Sequence, residues 1–345
     1  MQSEQIFTKI LVPTDGSLPS LVAQELAAFM AKKLSSKVTV LHIVAHELMV
    51  SPERHRHVLL GARTRMGGGA IQRHVPASSA TSLPEAVASE INNWYHQKGV
   101  KAVADAVALF KEEGIPVDQR LVEHADPAET IIEQAQKGNY DVIVMGHSEE
   151  EEQEPHLGSV AKKVSRHAQT PVLIVRGKRQ ISKILVPVDG SENAEKALQI
   201  AVLLAKKTDA KMTLLYVQES GLFKLRPKVT KEVGARILAN ATDQVEGIEP
   251  EKKLESGDPA KTIIQTADKD DYDIIVMGSR GLGAIGRFLL GSVSDHVIHH
   301  ANRSVLIVRP STEKHPHKEV IDVKKMAQHS RGHLPKKQKH YGSKL

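Results

Sequence analysis

The strongest constraint on this chain is an internal duplication. KILVPTDGS at 9–17 returns as KILVPVDGS at 183–191, and AKKLSSKVTVLHIV at 31–44 aligns with AKKTDAKMTLLYVQ at 205–218, both 174 positions on. A third match, DPAETIIEQAQKGNYDVIVMG at 126–146 with DPAKTIIQTADKDDYDIIVMG at 258–278, has an offset of 132. Self-similarity over such lengths means two copies of one folding unit. The drop in offset puts a net excess of 42 residues in the first copy, within about 46–90. At 345 residues the chain is long enough for two cores.

Each copy predicts the same order of elements. An apolar strand ends in Asp-Gly-Ser, and a helix follows. Next come a β-branched strand (38–44, 212–217), a second helix, a weak strand (117–123, 250–255) and a helix opened by Asp-Pro-Ala. Asp126 and Asp258 suit the N-cap of that helix, and the proline after each suits its first position. A buried strand (142–145, 274–277), a glycine-containing loop, a last helix and a final strand (172–175, 305–308) complete the unit. Strands alternating with helices imply βαβ units and a parallel sheet covered on both faces. The fold class expected is α/β, two tandem doubly wound domains.

Composition narrows the function classes. With no cysteine, disulfides, thiolate metal sites and cysteine nucleophiles are excluded. The opening residues lack the layout of a signal peptide, and no apolar run approaches the roughly 18 residues of a membrane span, so a soluble cytoplasmic protein is expected. The net charge of +6 is confined to residues 311–345, where nine Lys/Arg face three Asp/Glu. Aromatic residues are only 3% of the chain, too few for a platform of stacked bases.

The stretch MGSRGLGAIGRFLLGSVSDH at 277–296 contains a G-x-G-x-x-G, but it follows the fourth strand of its copy. A dinucleotide fingerprint belongs between the first strand and first helix, so that reading fails on context. Another spacing remains: Gly278, Gly281, then Gly291-Ser292. Gly278 would let backbone approach a ligand closely. Gly291 and Ser292 open the last helix, where the N–H groups of Val293 and Ser294 and the helix dipole suit phosphate oxygens. Ser292 with Asp295 also has the form of a capping box. Arg280 and Arg287 lie close enough in sequence to add positive charge. The pattern describes a sugar–phosphate cradle.

These residues resemble the universal stress protein family, specifically its ATP-binding members, whose fingerprint G-2x-G-9x-G-(S/T) is met by Gly278, Gly281, Gly291 and Ser292. KILVPVDGS, DYDIIVMGS and SVLIVRP stand in the expected order around it, and the resemblance covers both copies. It implies five-stranded sheets of order 3-2-1-4-5, with the ligand at the switch point between the first and fourth strands. Carried over, it puts Asp189 near the adenosine with Pro187 and Val188 beside it, Val217 at the adenine and Gly278 by the ribose. Gly281, Gly291, Ser292, Val293 and Ser294 fall at the phosphates. The implied ligand is ATP with Mg2+. Family members commonly dimerise through the last strand, and VLIVR occurs at 172–176 and 305–309. Either the two copies pair as an intrachain pseudo-dimer or two chains form a homodimer.

The first copy departs from the pattern. Its loop reads MGHSEEEEQEPHLGSV, keeping Gly146 and Gly158-Ser159 but holding Glu149 where Gly281 stands and five glutamates between 149 and 154. Carboxylates there would repel a triphosphate. The organisation expected is a domain at 1–178 with the insertion and a degenerate site, a domain at 181–310 with the intact motif, and a basic tail at 311–345. The arginine-rich insertion reads as a mobile loop, lid or subunit contact. The tail, with five histidines, reads as disordered or as a short helix near 317–328, with affinity for a polyanion such as nucleic acid or for a membrane surface. It lacks the spacing of a structural zinc site. His296, His299 and His300 read as facing solvent or a helix neighbour.

The function expected is an ATP-binding stress-response regulator. A slow ATPase is the first alternative, but no P-loop, no SGGxDS-type loop and no base to activate water are present, so at most weak hydrolysis follows. A nucleotide-independent scaffold is the second.

Overall fold

A computed structural model describes residues 6–44, 85–123, 125–147, 157–219, 227–281 and 290–309. The acidic loop at 149–154, Arg287, most of the insertion and the tail lie outside these residues. The first copy contributes β1 (Lys9–Pro13), α1 (Leu18–Leu34), β2 (Lys37–Val44), α2 (Glu85–Glu112), β3 (Val117–Glu123), α3 (Pro127–Lys137), β4 (Val142–Gly146), α4 (Ser159–His167) and β5 (Val172–Val175). The second contributes β6 (Lys183–Pro187), α5 (Glu192–Thr208), β7 (Lys211–Glu219), α6 (Pro227–Asp243), β8 (Glu251–Gly257), α7 (Pro259–Lys269), β9 (Ile274–Gly278), α8 (Ser292–His300) and β10 (Ser304–Val308).

The turn chemistry acts as the sequence predicts. Asp126 and Asp258 cap α3 and α7, accepting from the N–H of Glu129 and Lys261 at 2.8 and 2.9 Å. The Asp-Gly-Ser turns place Gly16 and Gly190 at φ +79° and +78°, a region that only glycine enters without strain. Ser17 and Ser191 then cap α1 and α5.

The ten strands among the described residues form one sheet of order β3-β2-β1-β4-β5-β10-β9-β6-β7-β8, which is the order 3-2-1-4-5 written twice, back to back. Within each copy the neighbours are parallel; β5 and β10 pair antiparallel, Leu306 opposite Leu173. The two copies therefore satisfy each other's last strand within one chain. The outer edges, β3 and β8, carry Asp118, Arg120, Glu251 and Lys252, charges that discourage further strand addition.

Strand side chains alternate between two cores. Ile10, Val12, Val144, Leu173, Ile184, Val276 and Leu306 face α1, α2, α5 and α6. Leu11, Ile143, Ile174, Leu185, Ile275 and Val305 face α3, α4, α7 and α8. Helix α2 runs 28 residues against 17 for its counterpart α6, so part of the first copy's excess is helix. Among the described residues no helix is long and apolar enough to cross a membrane.

Candidate functional site

The crevice arises from how the strands pair. β6 shares five register pairs with β7, and β9 five with β10, but β6 and β9 pair only at Ile184–Ile274 and Leu185–Ile275. Beyond those pairs the two strands are no longer bonded, which is the switch point where doubly wound sheets bind ligands. Pro187, Val188 and Asp189 stand on one side and Gly278 to Gly281 on the other.

Asp189 Oδ1 accepts from Ser191 N at 2.9 Å, fixing the carboxylate over the turn. Its Oδ2 lies where a Cβ on Gly281 would be, so the two predicted residues are in direct apposition. Burial, with the charges of Asp189 and Glu219, pushes the Tyr216 phenol up. Val217 follows it, half-buried, at the end of β7, packed toward the same core face as Leu290 and Val293.

Gly278 has a physical reason within the protein itself. A Cβ there would sit 2.7 Å from the backbone C and O of Asn193 in the first turn of α5. The space belongs to the protein's own helix. Gly146 repeats this against Pro19, the equivalent of Asn193, with that residue's carbonyl carbon at 2.5 Å. Both glycines serve helix–strand packing.

The far side of the crevice is α8. Its N-cap is Gly291 at φ −70° and ψ 155°, with no side-chain cap, so the Ser292–Asp295 capping box is not formed. The helix starts one residue earlier because Gly291 N donates to Ser279 O at 2.8 Å, and Asp295 N then makes the first intrahelical bond, to Gly291 O, at 2.8 Å. The N–H groups of Ser292, Val293 and Ser294 precede that bond and have no helical acceptor. Ser292 is exposed. Ser294 is buried, its hydroxyl donating to Ser279 O at 2.7 Å. The strand end at 279–281 is thereby fastened to the open helix terminus and lies against Asp189.

Several residues at this site carry no mark in the motif. Ser279 is fully buried, and its Oγ has no hydrogen-bond partner among the described residues. Arg309, ending β10, donates to the carbonyls of Ser165 and Arg166 in α4. Burial, with the charge of Arg280, lowers it to about 10, which leaves it cationic at neutral pH. The repeated VLIVR was the available signal, since the arginine is part of the repeat. His299 Nδ1 lies 2.6 Å from Asp295 O, and the rings of His296 and His300 stack at 4.2 Å. The histidines thus meet helix neighbours.

The donor set fits a phosphate: three helix-end N–H groups and Arg280, with the Asp189 carboxylate beside Gly281. For Mg2+ the described residues bring one carboxylate, Asp189, to the crevice. Among them no cluster of three or more His, Asp or Glu could hold a metal, so an ion would rest largely on phosphate oxygens.

Fold and crevice define a tandem, doubly wound α/β protein with an anion-suited switch point in its second copy. The universal stress protein family model matches residues 7–55, 73–176 and 180–309, most of the chain, and the chain belongs to that family. A universal stress protein of Methanocaldococcus jannaschii is 33% identical over 148 residues, 40% of this chain and 87% of the relative. One from Bacillus subtilis is 35% identical over 147 residues, 37% of this chain and 99% of the relative. Each match spans about one copy. The crystal structure of a universal stress protein from Archaeoglobus fulgidus covers 88% of this chain and 99% of its own, with TM-score 0.56 at 24% identity, which shows a shared fold across both copies.

Proposed function

We propose that the chain is an ATP-binding regulator of the cytoplasm, with one working nucleotide site, in the copy at 181–310. The copy at 1–178 keeps the scaffold without the cradle. Adenosine lies along Pro187, Val188, Asp189 and Val217. The phosphates lie against Arg280, Gly281, Gly291 and the N–H groups of Ser292, Val293 and Ser294, with Mg2+ held by phosphate oxygens. The single observation that supports this reading most is the apposition of Gly281 to Asp189 next to a helix terminus capped by glycine. A Cβ at 281 would collide with Asp189 Oδ2, so a side chain there would push the carboxylate out of place.

Calorimetric titration of ATP into the full chain tests it. Saturable binding that Gly281→Glu abolishes is expected, because a carboxylate then faces the phosphates. Binding that survives Gly281→Glu would refute the assignment. The full chain is the right sample, since separating the copies would expose β5 and β10 as unpaired edges.

A further inference from the structure

The antiparallel pairing of β5 with β10 relates the copies by a pseudo-two-fold axis, under which Val172 corresponds to Val305 and residues 133 apart are equivalent. One arginine contact across this axis occurs in both directions. Arg176 donates to Ile298 O in α8 at 2.9 Å, and its equivalent Arg309 donates to Ser165 O, the equivalent position in α4.

A charged contact near α8 occurs in one direction. Arg166, at the end of α4 in the first copy, makes two hydrogen bonds to Asp295 of the second: Nε to Oδ1 at 2.9 Å and the terminal nitrogen to Oδ2 at 3.0 Å. The equivalent positions in the other direction hold His299 and Lys162, two basic side chains that cannot form such a pair. The pair stands on the side where the glycine spacing is intact. Asp295 is the fourth residue of α8, and its N–H closes the helix just behind the three open N–H groups. A bare carboxylate there would oppose an anionic ligand at the same terminus. Arg166 engages both of its oxygens and supplies a full positive charge. Lys162 and His299 are the other basic groups acting on Asp295.

We propose that Arg166 of the first copy is a positioning residue for phosphate binding in the second: by pairing with Asp295 it cancels the carboxylate in the opening turns of α8. The copy without a cradle thereby completes the site of the copy that has one. This inference rests on the ATP reading above and assigns the first copy a role in it.

The test is titration of ATP, ADP, AMP and adenosine into the full chain and into Arg166→Met, Asp295→Asn and the double variant. Arg166→Met is expected to weaken ATP about tenfold, the size of effect one charge has at a partly buried helix end. The loss should shrink through ADP and AMP and vanish for adenosine. Asp295→Asn should bind ATP at least as well as the unaltered chain, and the double variant should recover what Arg166→Met loses. A residue that merely glues the copies together would weaken all four ligands alike and would not be rescued by removing Asp295; either result overturns the inference while leaving the site reading intact. Unchanged ATP affinity in Arg166→Met overturns it equally. If the unaltered chain binds none of the four, the site reading falls and takes the inference with it.

Discussion

The two copies are built on the same turn and differ in what that turn is left to do. In the first, Asp15 Oδ1 accepts from both the N–H and the hydroxyl of Ser17, at 3.0 and 2.6 Å. Burial raises that carboxyl, and the Ser17 hydrogen bonds bring it below the usual carboxylate range. Behind it Thr14, Ser20 and Gln24 form a buried polar knot, with Thr14 Oγ1 3.2 Å from Ser20 Oγ and 2.9 Å from Gln24 Nε2. In the second copy the equivalents of that knot are Val188, Ala194 and Leu198, all apolar and buried, and Asp189 accepts from the Ser191 N–H with its second oxygen turned to Gly281. The first copy satisfies these polar groups internally; the second replaces them with apolar side chains and leaves one Asp189 oxygen against Gly281. Gly146 and Gly278 are held in common because both fit a strand end under a helix, which separates glycines kept for packing from glycines kept open.

The largest effects should fall on the shared glycines. Gly146→Ala and Gly278→Ala each force a methyl into helix backbone and should cost about 3 kcal/mol, read by urea denaturation of the full chain. A cheap Gly278→Ala that nonetheless destroys ATP binding would move that glycine to the ligand side of the comparison. Next in size is the polar knot. Thr14→Val strands the buried Gln24 amide, while the Ser20 hydroxyl keeps its bond to Ser17 O, and should cost about 2 kcal/mol. The triple change Thr14→Val, Ser20→Ala and Gln24→Leu imports the second copy's residues and should recover most of that loss in the same denaturation experiment. If the triple is as damaged as the single, the two cores are not interchangeable.

The smallest effect is a pH dependence confined to one side of the axis. Burial depresses His299, outweighing the nearby Asp295, and Lys162 and Arg166 depress it further. Its folded value therefore lies below the ordinary 6.5, and the unfolded chain takes up the proton first. Stability should be held above that pH and lost as pH falls through and below it. Denaturation at pH 7.5 and 5.5 should show a larger acid loss for the unaltered chain than for His299→Gln. The equivalent residue in the first copy, Arg166, does not titrate in this range. Equal losses would assign the acid sensitivity elsewhere.

The ten strands and the caps at Asp126 and Asp258 were legible in sequence because alternation and turn chemistry are local. The order 3-2-1-4-5 came from resemblance, and pairing of β5 with β10 inside one chain was undecided, because two identical edge strands pair equally well within or between chains. Ser292-Val-Ser-Asp295 reads as a capping box, yet a bond between residues 279 and 291, distant in sequence, sets the helix start one residue sooner. Gly278 reads as a ligand-facing glycine because a missing side chain does not say which neighbour needs the room. Arg166 and Asp295 are 129 positions apart, and Arg166 belongs to no motif. Only comparison of equivalent positions, Arg166 with His299 and Lys162 with Asp295, separates them from surface charge.

The proposed function requires one nucleotide site per chain, in the second copy. Native mass spectrometry of the full chain with saturating ATP measures it directly, alongside Gly281→Glu and a change confined to the first copy, Asp15→Asn. The account predicts one ATP bound to the unaltered chain, one to Asp15→Asn and none to Gly281→Glu. Two ATP per chain, or one that disappears with Asp15→Asn and persists in Gly281→Glu, would contradict it.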